Sequence, residues 1–240
     1  MKTFNITSLI SLTFTLFTSP AVAMFADDPW LNKVMTEFEY FKDDGNSVIE
    51  WDIDAWRGQD LKKFWLKSSG EHSGSELEEA NIEFVYSRAI SAYWDQQFGV
   101  RRDFETSAEL DPRNWISYGY IGTAPYFIEV DARLFIGENS SSQLLIELER
   151  ELMITQEWVL TPELDIVANG RDNEQFGEGA GLAEIEFSLR LGYEHDGNRK
   201  FQPFVGLTTS HKFGTSKRLA EADGESSGEI KLMAGIHSWF

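Results

Sequence analysis

The side chains able to bind a soft metal ion are few in this chain: five methionines, four histidines and no cysteine among 240 residues. Met35, Met153, Met233 and His237 fall on one parity with a long series of acidic residues, Glu37 and Glu39 first among them. Thioether with imidazole is a ligand set that suits copper, whereas oxygen-rich surroundings alone suit harder ions. Packing is the competing reading: methionines fill irregular gaps, and a histidine can simply bond a neighbouring carboxylate. Both readings stand at this level. His195 falls in a turn beside the last segment, His72 in an outer loop, and His211 on the opposite face.

The elements that must position these residues are strands. From Val34 onward side-chain character alternates with period two, in about twelve segments separated by turn-rich gaps. The segments are Val34–Lys42, Val48–Arg57, Phe64–Glu71, Glu79–Arg88, Tyr93–Phe104, Asn114–Gly122, Phe127–Gly137, Gln143–Ile154, Val159–Asn169, Ala183–Glu194, Phe201–Phe213 and Glu229–Phe240. In Phe127–Gly137, Ile128, Val130, Ala132, Leu134 and Ile136 share a face, opposite Glu129, Asp131 and Arg133. One face fits lipid and the other fits water. The segment lengths match the roughly 9 to 11 residues that a tilted strand needs to cross a bilayer.

The gaps separate a membrane barrel from a soluble sandwich. After even segments they are compact, as at Gly58–Lys63, Ala89–Ala92, Thr123–Tyr126, Thr155–Trp158 and His195–Lys200. After odd segments three are long, Glu105–Arg113, Gly170–Leu182 and Gly214–Gly228, although Asp43–Ser47 and Glu138–Ser142 are short. Short periplasmic turns and longer outer loops are the habit of outer-membrane barrels. Trp30, Trp94, Tyr126, Trp158, Tyr193 and Trp239 stand near segment ends, as an interfacial aromatic girdle requires. The expected fold is therefore all-β, an antiparallel up-and-down transmembrane β-barrel of about 12 strands.

Residues 1–23 read as a secretory signal peptide: Lys2, an apolar run from Leu9 to Phe17, and Ala21-Val22-Ala23 before a cleavage point at Met24. Residues 24–240 form one domain, the outer-membrane barrel. The formal net charge of -19 excludes nucleic acid as a partner, since phosphates require stripes of Lys and Arg, and favours cations. With the apolar face outward, the lumen receives Glu37, Glu39, Glu50, Asp52, Asp54, Glu83, Asp95, Asp103, Glu129, Asp131, Glu147, Glu149, Glu151, Glu163, Asp165, Glu184 and Glu186. Lys67, Arg101, Arg133, Arg190, Lys212 and Lys231 oppose them. Such confined acids need counter-ions or salt bridges, so the wall is either a structural ion-pair network or a cation environment. The expected metal ligands are Met35, Met233, His237, Met153, Glu37 and Glu39. They are expected to meet at the periplasmic mouth, because the first and last strands pair in a closed barrel.

A string of motifs carries a family resemblance. Asp28-Pro29-Trp30-Leu31-Asn32-Lys33-Val34-Met35, Trp51-Asp52-Ile53-Asp54-Ala55-Trp56 and Lys63-Phe64-Trp65-Leu66-Lys67 come first. Tyr86-Ser87-Arg88-Ala89-Ile90, Trp94-Asp95, Arg101-Arg102-Asp103-Phe104, Ala124-Pro125-Tyr126-Phe127 and Glu129-Val130-Asp131-Ala132 follow in order. Together they resemble the copper resistance protein B family (CopB and PcoB). The resemblance implies an outer-membrane barrel that binds copper or mediates its passage as part of copper homeostasis, alongside periplasmic copper proteins and in contact with outer-membrane lipid. It implies copper as the bound or transported ion. Many family members carry a Met- and His-rich segment ahead of the barrel, and here only Met24 to Asp27 separate signal from barrel, so the copper chemistry is expected in the barrel itself. A passive or structural barrel without metal preference is the alternative. An enzyme is not expected: Ser238, beside the inward His237, points to lipid, so the pairing of nucleophile and base is missing.

Overall fold

A computed structural model describes residues 28–43, 46–74, 76–105, 111–223, 228 and 230–240. The proposed signal peptide lies outside the described residues. Thirteen strands run in order: β1 (Leu31–Asp43), β2 (Asn46–Gln59), β3 (Lys62–Ser73), β4 (Glu76–Ala89), β5 (Trp94–Glu105), β6 (Arg113–Ala124), β7 (Ile128–Gly137), β8 (Ser142–Glu149), β9 (Leu152–Met153), β10 (Trp158–Asn169), β11 (Gly181–Tyr193), β12 (Phe201–Lys212) and β13 (Ile230–Trp239). Each pairs antiparallel with its neighbours, and β13 pairs back onto β1 from Met35↔Trp239 to Phe41↔Met233. The sheet is thus closed, and no backbone edge is left facing lipid, where an unpaired N–H or C=O would be costly. Phe240 completes the seam by exchanging backbone hydrogen bonds of 3.0 and 2.9 Å with Val34.

Strands β8 and β9 are one crossing. Both pair with β10 in a single register, Glu163↔Glu149 and Leu160↔Leu152. The break between them lies opposite Pro162, which has no N–H to return to Arg150, although Arg150 still donates to the Pro162 carbonyl at 3.2 Å. The barrel therefore has 12 crossing strands. Periodicity shows Gln143 to Ile154 as one segment and does not show the ladder fault at Pro162.

The predicted segments and observed strands agree within a few residues, apart from the interruption at β8. The long gap from Gly214 contains something that alternation does not show: a helix, α1 (Gly214–Asp223). Its Lys-Arg-Leu-Ala-Glu-Ala run is made of strong helix formers. The connection between β10 and β11 also crosses the mouth. Glu178 accepts a 2.6 Å bond from Arg113 on β6, Phe176 lies 4.0 Å from the Arg113 guanidinium, and the Gly179 N–H donates to Ser216 of α1 at 2.7 Å.

The outer face carries exposed Phe38, Tyr40, Ile49, Phe64, Phe84, Val100, Ile116, Leu134, Phe187, Val205 and Leu232. On a water-soluble protein such a belt would aggregate; facing lipid it is satisfied. Trp158 and Tyr193 pack with ring centroids 5.0 Å apart at the end that holds both termini. Trp239 departs from the expected girdle. It shares the lumen face with His237 by parity, and the Lys33 and Lys200 ammonium groups lie 5.2 and 5.4 Å from its ring.

Candidate functional site

Each inner residue is set by pleat and register. Partners directly opposite share a face, so the pairs Met35↔Asp54, Glu37↔Asp52, Glu39↔Glu50 and Phe41↔Val48 place the first acids of β1 beside those of β2 on the lumen wall. Asp54↔Lys67, Lys67↔Glu83 and Glu83↔Arg101 extend that wall across β3, β4 and β5.

Three inner cations hold a ring of ion pairs across the lumen. Arg190 on β11 pairs with Glu37, lies 3.7 Å from Glu39, and reaches Glu149 at 2.6 Å and Glu163 at 2.8 Å. Arg133 on β7 bonds Glu83 at 2.5 Å and forms ion pairs with Asp131 at 3.0 Å and Glu147 at 3.7 Å. Lys67 on β3 joins Asp131 at 2.9 Å to Asp54 at 3.4 Å. Glu147 and Glu149, two residues apart on one face of β8, connect the Arg133 and Arg190 groups. The ring draws on β1, β2, β3, β4, β7, β8, β10 and β11, and so ties opposite walls together. Buried charges in such numbers persist only when paired, and here each guanidinium serves several carboxylates.

Two rows of carboxylates start at this ring and run toward the loop end. Glu39, Glu50, Glu71 and Glu79 are directly opposed on β1, β2, β3 and β4. Asp131, Glu147, Asp165 and Glu186 are directly opposed on β7, β8, β10 and β11. Like charges opposite one another destabilise a sheet. The rows also face each other across the lumen, because Glu50 interacts electrostatically with Glu186 as well as with Glu39, Glu71 and Glu79. Alternation reveals which acids point inward but not this alignment, which follows from the register of each hairpin.

At the terminal end of the ring is a small pocket whose lining includes Glu37, Glu149, Glu151, Arg190, Gln202 and His237. His237 sits opposite Glu37 in the β1–β13 register, with its Nδ1 4.0 Å from the Glu37 carboxylate. Met35 is one inward position nearer the rim, opposite Trp239. Met233 is elsewhere. It pairs with Phe41, six residues up β1 from Met35, or roughly 20 Å at about 3.3 Å per residue, and packs in a buried cluster with Phe41 and Val48. The expected meeting of Met233 with Met35 and His237 at one mouth is therefore corrected: in an antiparallel pair the positions diverge as the two strands are counted in opposite directions. Met153 lies at the terminal end but is exposed, with the Arg199 guanidinium 3.0 Å from its sulfur. His195 is exposed in the turn after β11, 3.4 Å from Asp196. Glu37 and Glu39 belong to the Arg190 group. Among the described residues, no group of three or more His, Cys, Asp or Glu side chains is arranged to hold a metal ion.

A closed twelve-strand barrel with an apolar belt and an acidic, ion-paired lumen defines the class: this is an outer-membrane β-barrel. Among solved structures, the NanC porin matches with a TM-score of 0.57 at 9% identity, covering 85% of this chain and 98% of the porin, and the KdgM porin with 0.53 at 11% identity, covering 86% and 99%. At that identity the likeness is one of fold. The family model described as copper resistance protein B precursor (CopB) matches residues 31–240. A copper resistance protein B homolog of Pseudomonas syringae pv. tomato is 31% identical over 207 residues, covering 86% of this chain and 69% of the relative. Copper resistance protein B of Escherichia coli is 30% identical, covering 86% and 68%. The chain belongs to the copper resistance protein B family, and its place is the outer membrane.

Proposed function

We propose that the lumen takes up copper cations and passes them across the outer membrane as part of copper resistance. The observation that supports this reading best is the pair of directly opposed carboxylate rows, Glu39-Glu50-Glu71-Glu79 and Asp131-Glu147-Asp165-Glu186, which start in the ring and run from it toward the loop end. Eight carboxylates so placed repel one another, and a multivalent cation between the rows relieves that repulsion. Below the ring, His237 beside Glu37 offers imidazole nitrogen and carboxylate oxygen, donors that suit copper at the periplasmic exit. Met35 supplies a thioether nearer the rim.

Other expectations travel with this reading. Residues 1–23 are removed on export, periplasmic copper proteins exchange metal at the terminal end, and the barrel performs no catalytic step.

The test is copper binding by the purified barrel in detergent, for the parent and for Glu50→Gln with Asp165→Asn, one substitution in each row. The expected result is a loss of about tenfold or more in copper affinity, equivalent to about 1.4 kcal/mol, with barrel folding retained, and reduced copper tolerance in cells that depend on the variant. Unchanged affinity and tolerance would leave a barrel without metal preference.

A further inference from the structure

We propose that Arg190 is the gate of the lumen. Its guanidinium closes the passage between the acidic rows and the terminal-end pocket, and it swings open when an incoming metal cation takes over its carboxylates. The inference rests on the copper reading of the lumen for the identity of the opening ion, but not for the gate itself.

Two observations carry it. Arg190 is a staple across the barrel: from β11 it reaches Glu37 and Glu39 on β1, past β12 and β13, and in the other direction Glu149 and Glu163 on β8 and β10. Its side chain is nearly buried, yet it lines the pocket that holds His237. It is therefore the ring cation that stands between the two compartments.

Arg133 spans as many strands, from β7 to Glu83 on β4, and is as deeply buried, but it differs in its partner and in its place. Its partner Glu83 is also held by the Ser117 hydroxyl at 2.5 Å, the carboxylate is almost wholly enclosed, and Arg133 is absent from that pocket's lining. Arg133 with Lys67 therefore reads as the permanent wall and Arg190 as the movable part.

The charge count gives the opening mechanism. Four carboxylates against one guanidinium leave a formal surplus of three negative charges. A divalent ion arriving from the rows can hold the same oxygens with more charge at shorter range. The long, unbranched stem of arginine lets the freed guanidinium swing aside rather than unfold the wall.

The experiment is single-channel recording in planar lipid bilayers with potassium chloride, which needs no copper, on the full barrel. The parent is compared with Arg190→Met, with Arg190→Lys, and with Arg190→Met combined with Glu149→Gln and Glu163→Gln. The combined variant removes two of the carboxylates that methionine would leave uncompensated, and so answers the question if Arg190→Met fails to fold. Loss of the guanidinium is expected to raise cation conductance severalfold, while Arg190→Lys stays near the parent. Parent-like conductance in whichever methionine variant folds would overturn the gate, whatever copper does. A raised conductance, together with copper uptake into barrel-containing vesicles no faster than zinc uptake, would leave the gate standing and overturn the copper reading instead.

Discussion

Removing Arg133 tests whether the ring is structural. Arg133→Met keeps the aliphatic stem beside Phe135, whose ring lies 5.6 Å from the guanidinium, but deletes the charge facing Glu83, Asp131 and Glu147. Asp131 keeps Lys67 at 2.9 Å, so the group most exposed to the loss is Glu83, 1% accessible. Removing one partner of a buried pair costs about 3 to 5 kcal/mol. The Ser117 hydroxyl remains on the same carboxylate, and a hydrogen bond to a charged group contributes about 1.5 to 3 kcal/mol, which places the expected loss near the lower bound, about 3 kcal/mol. Adding Glu83→Gln removes the stranded charge and should recover about 2 kcal/mol, leaving roughly the value of a neutral hydrogen bond. Urea unfolding in lipid vesicles, followed by tryptophan fluorescence and by the gel shift of folded barrel, measures both variants. A loss below about 1 kcal/mol for the single variant, or a double variant no more stable than the single, would refute the reasoning.

The two faces make a second test. Leu148→Arg, near the middle of its crossing and facing lipid, should impair assembly at a cost of about 2 to 4 kcal/mol. Glu149→Ala should assemble, because Arg190 retains three other carboxylates, and equal heat-modifiable migration of the two variants would reverse inside and outside. At the pocket, His237→Ala should weaken copper binding while Met233→Leu leaves it unchanged, as calorimetry on the purified barrel would show. Equal loss in both would move the site up to the level of Phe41.

Period-two alternation was enough to separate lumen from lipid, because a pleated strand in a closed barrel has only two faces and their solvents differ sharply. Glu129, Asp131 and Arg133 against Ile128, Val130 and Leu134 are divided by the structure as by the pattern. Height within the barrel was less accessible. Met35 and Met233 share a face and lie on adjacent strands, but the register sums that pair Met35 with Trp239 also pair Met233 with Phe41, and alternation is blind to that count. The helix from Gly214 escaped because its run of helix formers lay inside what looked like a turn-rich loop. The fault at Pro162 escaped because a missing N–H does not disturb side-chain parity.

The alignment of the acids is where local and global preferences conflict. An ordinary antiparallel sheet avoids like charges directly opposite one another, yet four consecutive strands here place Glu39, Glu50, Glu71 and Glu79 in a line, and a second line faces it. The closed hydrogen-bonded wall can bear this conflict because none of its strands can slip without breaking the seam at Met35↔Trp239 through Phe41↔Met233. Lipid on the outside offers the carboxylates no solvent, so they depend on what fills the lumen. Such local violations concentrate at functional sites. The ring cations reach the lower end of each row, at Glu39, Asp131 and Glu147, and Arg101, Arg113 and Lys231 act on Glu79 and Glu186 farther up, so the directly opposed acids are held by cations from several strands as well as by the closed wall.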